Sequence, residues 1–169
     1  MIRLRIATAS TIDAFVTEAA RYFFGGSVDA VRESLGAFDP EETVFVLADE
    51  GADARPVATA TIRWRSDYPP FRVEDIPLIQ NIEVRADLRG MGMGSLVMDA
   101  LERLVGKRSS TVGICVGLFD AYGPAQKLYA RRGFVPDGRG ACDGHEPLRR
   151  GATITLDGNH LLWLVKTLK

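Results

Sequence analysis

The 169-residue chain is long enough for one domain with a substantial core, and 46% apolar against 25% charged residues is the balance of a globular protein. A net charge of −1 gives the chain as a whole no pull toward nucleic acid or an anionic membrane, so neither is expected as a partner. Two cysteines, Cys115 and Cys142, are too few for a disulfide framework. The two histidines, His145 and His160, have no cysteine pair at zinc spacing, so no metal is expected.

In chain order, Ile2, Leu4 and Ile6 alternate with basic residues as in a strand, without the continuous apolar run of a signal peptide, and a cytoplasmic protein is expected. Ser10 or Thr11 can cap a helix whose apolar positions run from Ile12 to Phe23, and Gly25-Gly26 stops it. Ser27 can cap a second, short helix through Leu35. Residues 43–48 and 57–64 read as a hairpin around a turn at 50–55. Residues 66–77, with three prolines, read as a loop, and 78–84 as the next strand. A long amphipathic helix follows over 92–105, then an apolar strand over 111–118 and a helix over 124–131 with proline in its first turn. Gly133 can end that helix, and Phe134-Val135 opens a further strand. Residues 136–158 form a long connection rich in glycine and arginine, and 160–167 a closing strand. This order predicts a mixed α/β layer fold in one domain over 1–169, not a repeated βαβ array.

The informative stretch is Arg89-Gly90-Met91-Gly92-Met93-Gly94-Ser95, where alternate glycines join a strand to a long helix. Glycines let a backbone approach a ligand closely, and free amides at a helix start favour a phosphate. Arg89 adds a fixed positive charge. A plain tight turn explains one such glycine well and three poorly. A dinucleotide site requires G-x-G-x-x-G and a later acidic residue, and a Walker A loop requires Gly-Lys-Ser/Thr; neither is present.

Arg89, Gly92 and Gly94 fit the pattern Arg/Gln-x-x-Gly-x-Gly/Ala. Downstream, Ala125-Gln126-Lys127-Leu128-Tyr129-Ala130 leads through Arg131-Arg132 to Gly133-Phe134. Together these resemble the two cofactor motifs of the GNAT superfamily of N-acetyltransferases, at the separation expected for one intervening helix and strand. The resemblance covers the chain from about Val57 onward. It implies a mostly antiparallel central sheet with two splayed strands and flanking helices, and acetyl-CoA as co-substrate.

By that resemblance the pyrophosphate sits on the amides of Arg89, Gly90, Met91, Gly92, Met93, Gly94 and Ser95. Ile82 and Val84 offer main-chain bonds to the pantetheine arm, and Tyr122, Ala125 and Gln126 flank its thiol end. Tyr129 matches the tyrosine that protonates the departing thiolate, and a phenol protonated at neutral pH suits that task. Two positions depart from the pattern: Tyr122 stands where many members have Asn, and Gly117 where some carry a catalytic Glu. Glu83 is the candidate to take the amine's proton, ahead of Asp120 and His145. Strand alternation turns it away from Ile82 and Val84, and a solvated or salt-bridged carboxylate is the competing reading. Cys115 reads as a small buried strand residue.

Phe24, Trp64 and Tyr68 are candidate walls for the acceptor, a small-molecule or peptide amine. Phe23 reads as core, and residues 137–157 as a segment that could close over the acceptor. The expected activity is transfer of an acetyl group to a primary amine. A non-catalytic CoA-binding module and a transferase for longer acyl-CoA are the alternatives. Residues 160–165 could build a homodimer contact or form an ordinary interior strand.

Overall fold

The computed structural model describes residues 1–51 and 55–169. Among these residues eight strands form one sheet: β1 (Ile2–Ile6), β2 (Thr43–Glu50), β3 (Ala58–Arg63), β4 (Leu78–Val84), β5 (Thr111–Gly117), β6 (Val135–Asp143), β7 (Glu146–Pro147) and β8 (His160–Thr167). They lie in the order β1-β2-β3-β4-β5-β8-β6-β7, antiparallel throughout except for the β4–β5 pair. Five helices accompany it: α1 (Ile12–Tyr22), α2 (Val28–Leu35), α3 (Pro69–Val73), α4 (Met93–Gly106) and α5 (Gly123–Arg131).

Period-two alternation divides the strands between two layers. On one face, Val46, Ala60, Ile79, Ile114 and Val116 pack against the apolar stripe of α4, including Val97 and Leu101, and against Tyr129 of α5. On the other, Phe45 and Leu47 meet Val16 and Ala19 of α1 and Val31 and Leu35 of α2. The same face continues under α3, where Tyr68, Phe71, Leu78, Cys142 and Trp163 form a separate cluster. Asp49 is buried on β2 and held by Arg5 (2.7 Å) and Arg3 (3.1 Å), while Arg5 also reaches Glu18 of α1 (2.7 Å).

Several elements differ from the sequence expectation. Thr11 accepts the Thr8 amide (2.8 Å) and makes no side-chain cap on α1, whereas the Ser27 hydroxyl caps α2 by accepting from Ala30 (3.0 Å). α1 ends at Tyr22, and Phe24–Gly26 form a 3-10 turn beyond it. Residues 66–77 hold α3, for which Pro69 and Pro70 supply the first turn. The expected turn at 50–55 includes residues 52–54, which lie outside those described. The connection predicted over 136–158 is strand as far as Asp143 and again at β7. Gly138 and Gly140 belong to a bulge, because Pro136 and Ala141 of β6 lie opposite Leu164 and Leu162 of β8. β8 is an interior strand flanked by β5 and β6, so both of its edges are occupied within the chain.

Candidate active site

β4 and β5 pair at two positions only, Leu78 with Gly113 and Ile79 with Ile114. Beyond them β4 stays bound to β3 as far as Val84, and β5 to β8 as far as Gly117. A gap therefore opens between two strands that are each supported on the outer side. The divergence begins at a bulge: Thr61 faces Gln80 and Thr59 faces Glu83, so Ala60 alone stands opposite Asn81 and Ile82. Asn81 has a φ of 53°, a left-handed conformation that Asn tolerates better than most residues. Its side-chain amide donates to the Ser34 carbonyl of α2 (3.0 Å).

The extra residue keeps Ile82 and Val84 on the α4 face, beside the core, and Glu83 on the α1 face. Because the Arg85 amide bonds back to Val57 of the hairpin (2.9 Å), alternation turns the peptide groups of Val84 and Ile82 toward the gap. The Val84 carbonyl is capped there by Arg89 Nε at 2.9 Å.

At the mouth of the gap the chain makes a 3-10 turn, Ala86–Leu88, pinned by the Arg85 guanidinium on Asp87 (2.7 Å). That hydrogen bond holds the Asp87 carboxyl below its ordinary range. Gly90 and Gly92 then take φ values of 75° and 83°, and Gly92 caps α4 in the left-handed region. These two glycines are needed for backbone conformation. Gly94 has no such constraint, and a Cβ there would stand 3.4 Å from Leu128 of α5, the limit of ordinary contact. Among the described residues, no amide from Gly90 to Gly94 donates to a protein acceptor. The loop thus presents a set of free donors at the positive end of a 14-residue helix. Met91 is exposed, Met93 is buried and Ser95 is half-buried. The Ser95 carbonyl accepts from Arg132 (3.2 Å), which also binds Asp99 and Glu102 of α4 (2.7 Å each).

The opposite wall is β5 with the 3-10 turn Asp120–Tyr122 and α5 behind it. Gln126 donates to the Gly117 carbonyl (2.8 Å), while Ala125 is half-buried against the core. Tyr122 lays its ring over Gly117, where a Cβ would fall 2.3 Å from ring carbons. Tyr129 is 8% exposed, and among the described residues its hydroxyl has no hydrogen-bond partner. Burial first, then the proximity of Cys115 and Tyr122, raises its pKa above the usual phenol range. Cys115, half-buried on β5, is itself pushed up to about 11 by burial.

On the α1 face, Glu83 is 32% exposed. One of its oxygens accepts the Phe24 amide (3.0 Å) and the other lies 3.5 Å from Arg89 Nη2. Phe24 is half-buried with a φ of 55°, and Phe23 is core, as expected. Trp64 and Tyr68 do not join this group. Trp64 follows Arg63, which pairs with Leu78 at the closed end of the gap, and it packs on the α4 face under Arg108 (4.6 Å). Tyr68 is 0% exposed, stacked on Trp163 at 3.9 Å and donating to Asp137 (2.6 Å) from inside the α3 cluster. An aromatic pattern cannot separate a pocket wall from such a stack. His145 stands 5.7 Å from both of those rings, and Asp120 turns its carboxylate to the Ala121 amide (2.9 Å). Among the described residues no three acidic, histidine or cysteine side chains converge as a metal site, and no helix is long and apolar enough to cross a membrane.

Residues 10–134 match the model of the acetyltransferase (GNAT) family. The chain belongs to the GNAT acetyltransferase family. Members are acyltransferases that use an acyl-CoA, and this chain has their mixed α/β fold. No curated protein matches it. Among solved structures it is similar to the ribosomal-protein-S18-alanine N-acetyltransferase from Escherichia coli, with a TM-score of 0.63 and 17% identity over 99% of this chain and 94% of that one. It is also similar to an aminoglycoside acetyltransferase in complex with coenzyme A, with a TM-score of 0.62 and 15% identity over 99% and 95% of the two chains. At these identities the likeness is one of fold. The donor set of this GNAT chain fits an acyl-CoA: free amides at a helix start for a pyrophosphate, and an unpaired strand edge for an amide-bearing arm. Two contacts that sequence reasoning missed, Tyr122 over Gly117 and the α3 residue Phe71 over Gly113, carry a signal in the chain: a glycine inside an apolar strand marks a close approach.

Proposed function

We propose that the chain is a single N-acetyltransferase domain that moves an acetyl group from acetyl-CoA to a primary amine of a small molecule or a protein. The observation that carries this reading is the gap itself. Among the described residues, the amides of residues 90–94 are unsatisfied at its mouth, and Cys115 of its β5 wall stands near the unpartnered hydroxyl of the buried Tyr129. Acetyl-CoA, when bound, supplies the thioester that the amine attacks.

The chain's own groups divide the remaining work. Residues 89–95 hold the pyrophosphate, with Arg89 as the fixed cation. The peptide groups of Ile82 and Val84 orient the pantetheine arm. Arg89 donates to the Val84 carbonyl from the same mouth of the gap, which places the fixed cation next to the peptide groups that orient the arm. Tyr122, Ala125 and Gln126 border the thiol end. Tyr129 keeps its proton at Oη through the physiological range, because its pKa is raised, and donates it to the departing sulfur. Glu83 is open to water and held by the Phe24 amide, and it takes the amine's proton through solvent on the acceptor side. Phe24 borders that side.

The test is thiol release from acetyl-CoA with a panel of amines: polyamines, aminoglycosides, amino acids and basic peptides. One amine class accelerates release in the native protein, and Tyr129→Phe loses about 10²-fold or more in kcat with little change in acetyl-CoA affinity. Tight binding of acetyl-CoA with no amine-dependent release across the panel would turn the assignment toward a CoA-binding module. No binding at all refutes it.

A further inference from the structure

Side chains along β5 alternate: Val112, Ile114 and Val116 enter the α4 core, so Gly113, Cys115 and Gly117 face the acceptor side. Tyr129 belongs to the α4 core. The Tyr129 hydroxyl stands near Cys115 and Tyr122, so a thioester lying in the gap at Tyr129 reaches the Gly117 end of β5. Gly117 brings no side chain to that wall. The space a Cβ would use is taken by the Tyr122 ring, whose carbons lie 2.3 Å from that point.

The ring is fixed in place by its neighbours. Phe119 meets it edge-on at 4.8 Å, and the Tyr122 amide closes the turn by donating to the Phe119 carbonyl (3.0 Å). The strand end beneath it is held by Gln126 on the Gly117 carbonyl and by the pairing of Gly117 with Leu161 of β8. Tyr122 is nonetheless 36% exposed, so the ring packs on Gly117 yet still borders open space.

We propose that the Tyr122 ring is the acyl-size gate of this enzyme, occupying the space on the acceptor side of the gap that acyl carbons beyond an acetyl group would need. The proposal rests on the gap being the acyl-CoA site. It assigns the restriction to ring volume and not to the hydroxyl, for which the structure shows no partner among the described residues.

Calorimetric titration of the full-length protein with CoA, acetyl-CoA and butyryl-CoA tests this without knowledge of the acceptor. The native protein prefers acetyl-CoA to butyryl-CoA. Tyr122→Ala shifts the ratio of the two affinities toward butyryl-CoA by about tenfold, the value of burying two further methylenes. Tyr122→Leu, a smaller perturbation of the turn, shifts it in the same direction by less, and Tyr122→Phe leaves it within about twofold. An unchanged ratio in both the Ala and Leu variants, with CoA still bound, overturns the gate while leaving the cofactor site standing. A shift in Tyr122→Phe as large as in Tyr122→Ala overturns the steric basis and assigns the discrimination to the hydroxyl. If CoA fails to bind the native protein, the reading of the gap falls and the gate falls with it.

Discussion

Gly113→Ala is a severe test of how the closed end of the gap is built. A Cβ at this position would lie 2.1, 2.5 and 2.8 Å from three carbons of the Phe71 ring, so the ring must retreat by at least about 1.3 Å to reach ordinary contact. It has little room to do so. Phe71 is 2% exposed, with Tyr68 edge-on at 4.9 Å and Trp163 edge-on at 5.7 Å. Overpacking of a core costs about 1–3 kcal/mol, and complete loss of a buried phenylalanine about 3–5 kcal/mol. The expected cost is about 3 kcal/mol, where these ranges meet. In a chain of this size that lowers Tm by about 6–12 °C. The assay is urea unfolding followed by far-ultraviolet circular dichroism, on the two single variants and on Gly113→Ala with Phe71→Ala. The double variant is expected to be no less stable than Phe71→Ala alone, a coupling of about 2–3 kcal/mol. A loss below about 1 kcal/mol for Gly113→Ala, or additive losses in the double variant, would refute the reasoning.

Gly92→Ala meets nothing within 4 Å but must adopt a φ of 83°, so it should cost about 1–2 kcal/mol of stability by backbone strain and also weaken acetyl-CoA binding, both read by calorimetry. Arg89→Ala should weaken acetyl-CoA binding about tenfold or more, with a shallower salt dependence. Its unfolding midpoint should hardly move, because its pairing with Glu83 is long and exposed and the Val84 carbonyl it leaves is open to solvent. Burial raises the Cys115 thiol from 9.0 to about 11, so the folded state keeps a proton that the unfolded chain loses in that interval. Stability from this group is complete below about pH 9 and declines by about 2–3 kcal/mol as pH rises to about 11. Cys142, Tyr68 and Tyr129 are shifted in the same direction. Cys115→Ala should therefore flatten only part of the alkaline slope in unfolding free energy.

The elements that position the cofactor loop were the most legible in the sequence. The strand over 78–84 has the limits of β4, and the helix over 92–105 lies within one residue of α4. Both carry long apolar periodicity bounded by turn residues, the signal that tertiary context overrides least. β6 was hidden because its residues are mostly exposed and a bulge containing Gly138 and Gly140 interrupts its pairing, so neither alternation nor propensity marks it. Trp64 and Tyr68 were misplaced for a different reason. Residue type fixes what a side chain can do and not which end of a strand it occupies, and the Tyr68–Trp163 stack joins residues almost a hundred positions apart. The capping of Val84 by Arg89 and the grip of Phe24 on Glu83 likewise depend on loop geometry that periodicity does not encode.

The bulge on β4 makes chain length, more than chemistry, the determinant of an open site. Removing Asn81 would put Ile82 alone opposite Ala60 and leave every remaining side chain on the face it now occupies. The core would keep its composition and the strand would lose its bend. A straight β4 would be free to continue zipping to β5 beyond Ile79, and the edge now open for a ligand would be consumed by the protein's own sheet. Deletion of Asn81 alone is therefore expected to close the gap while leaving the sheet folded.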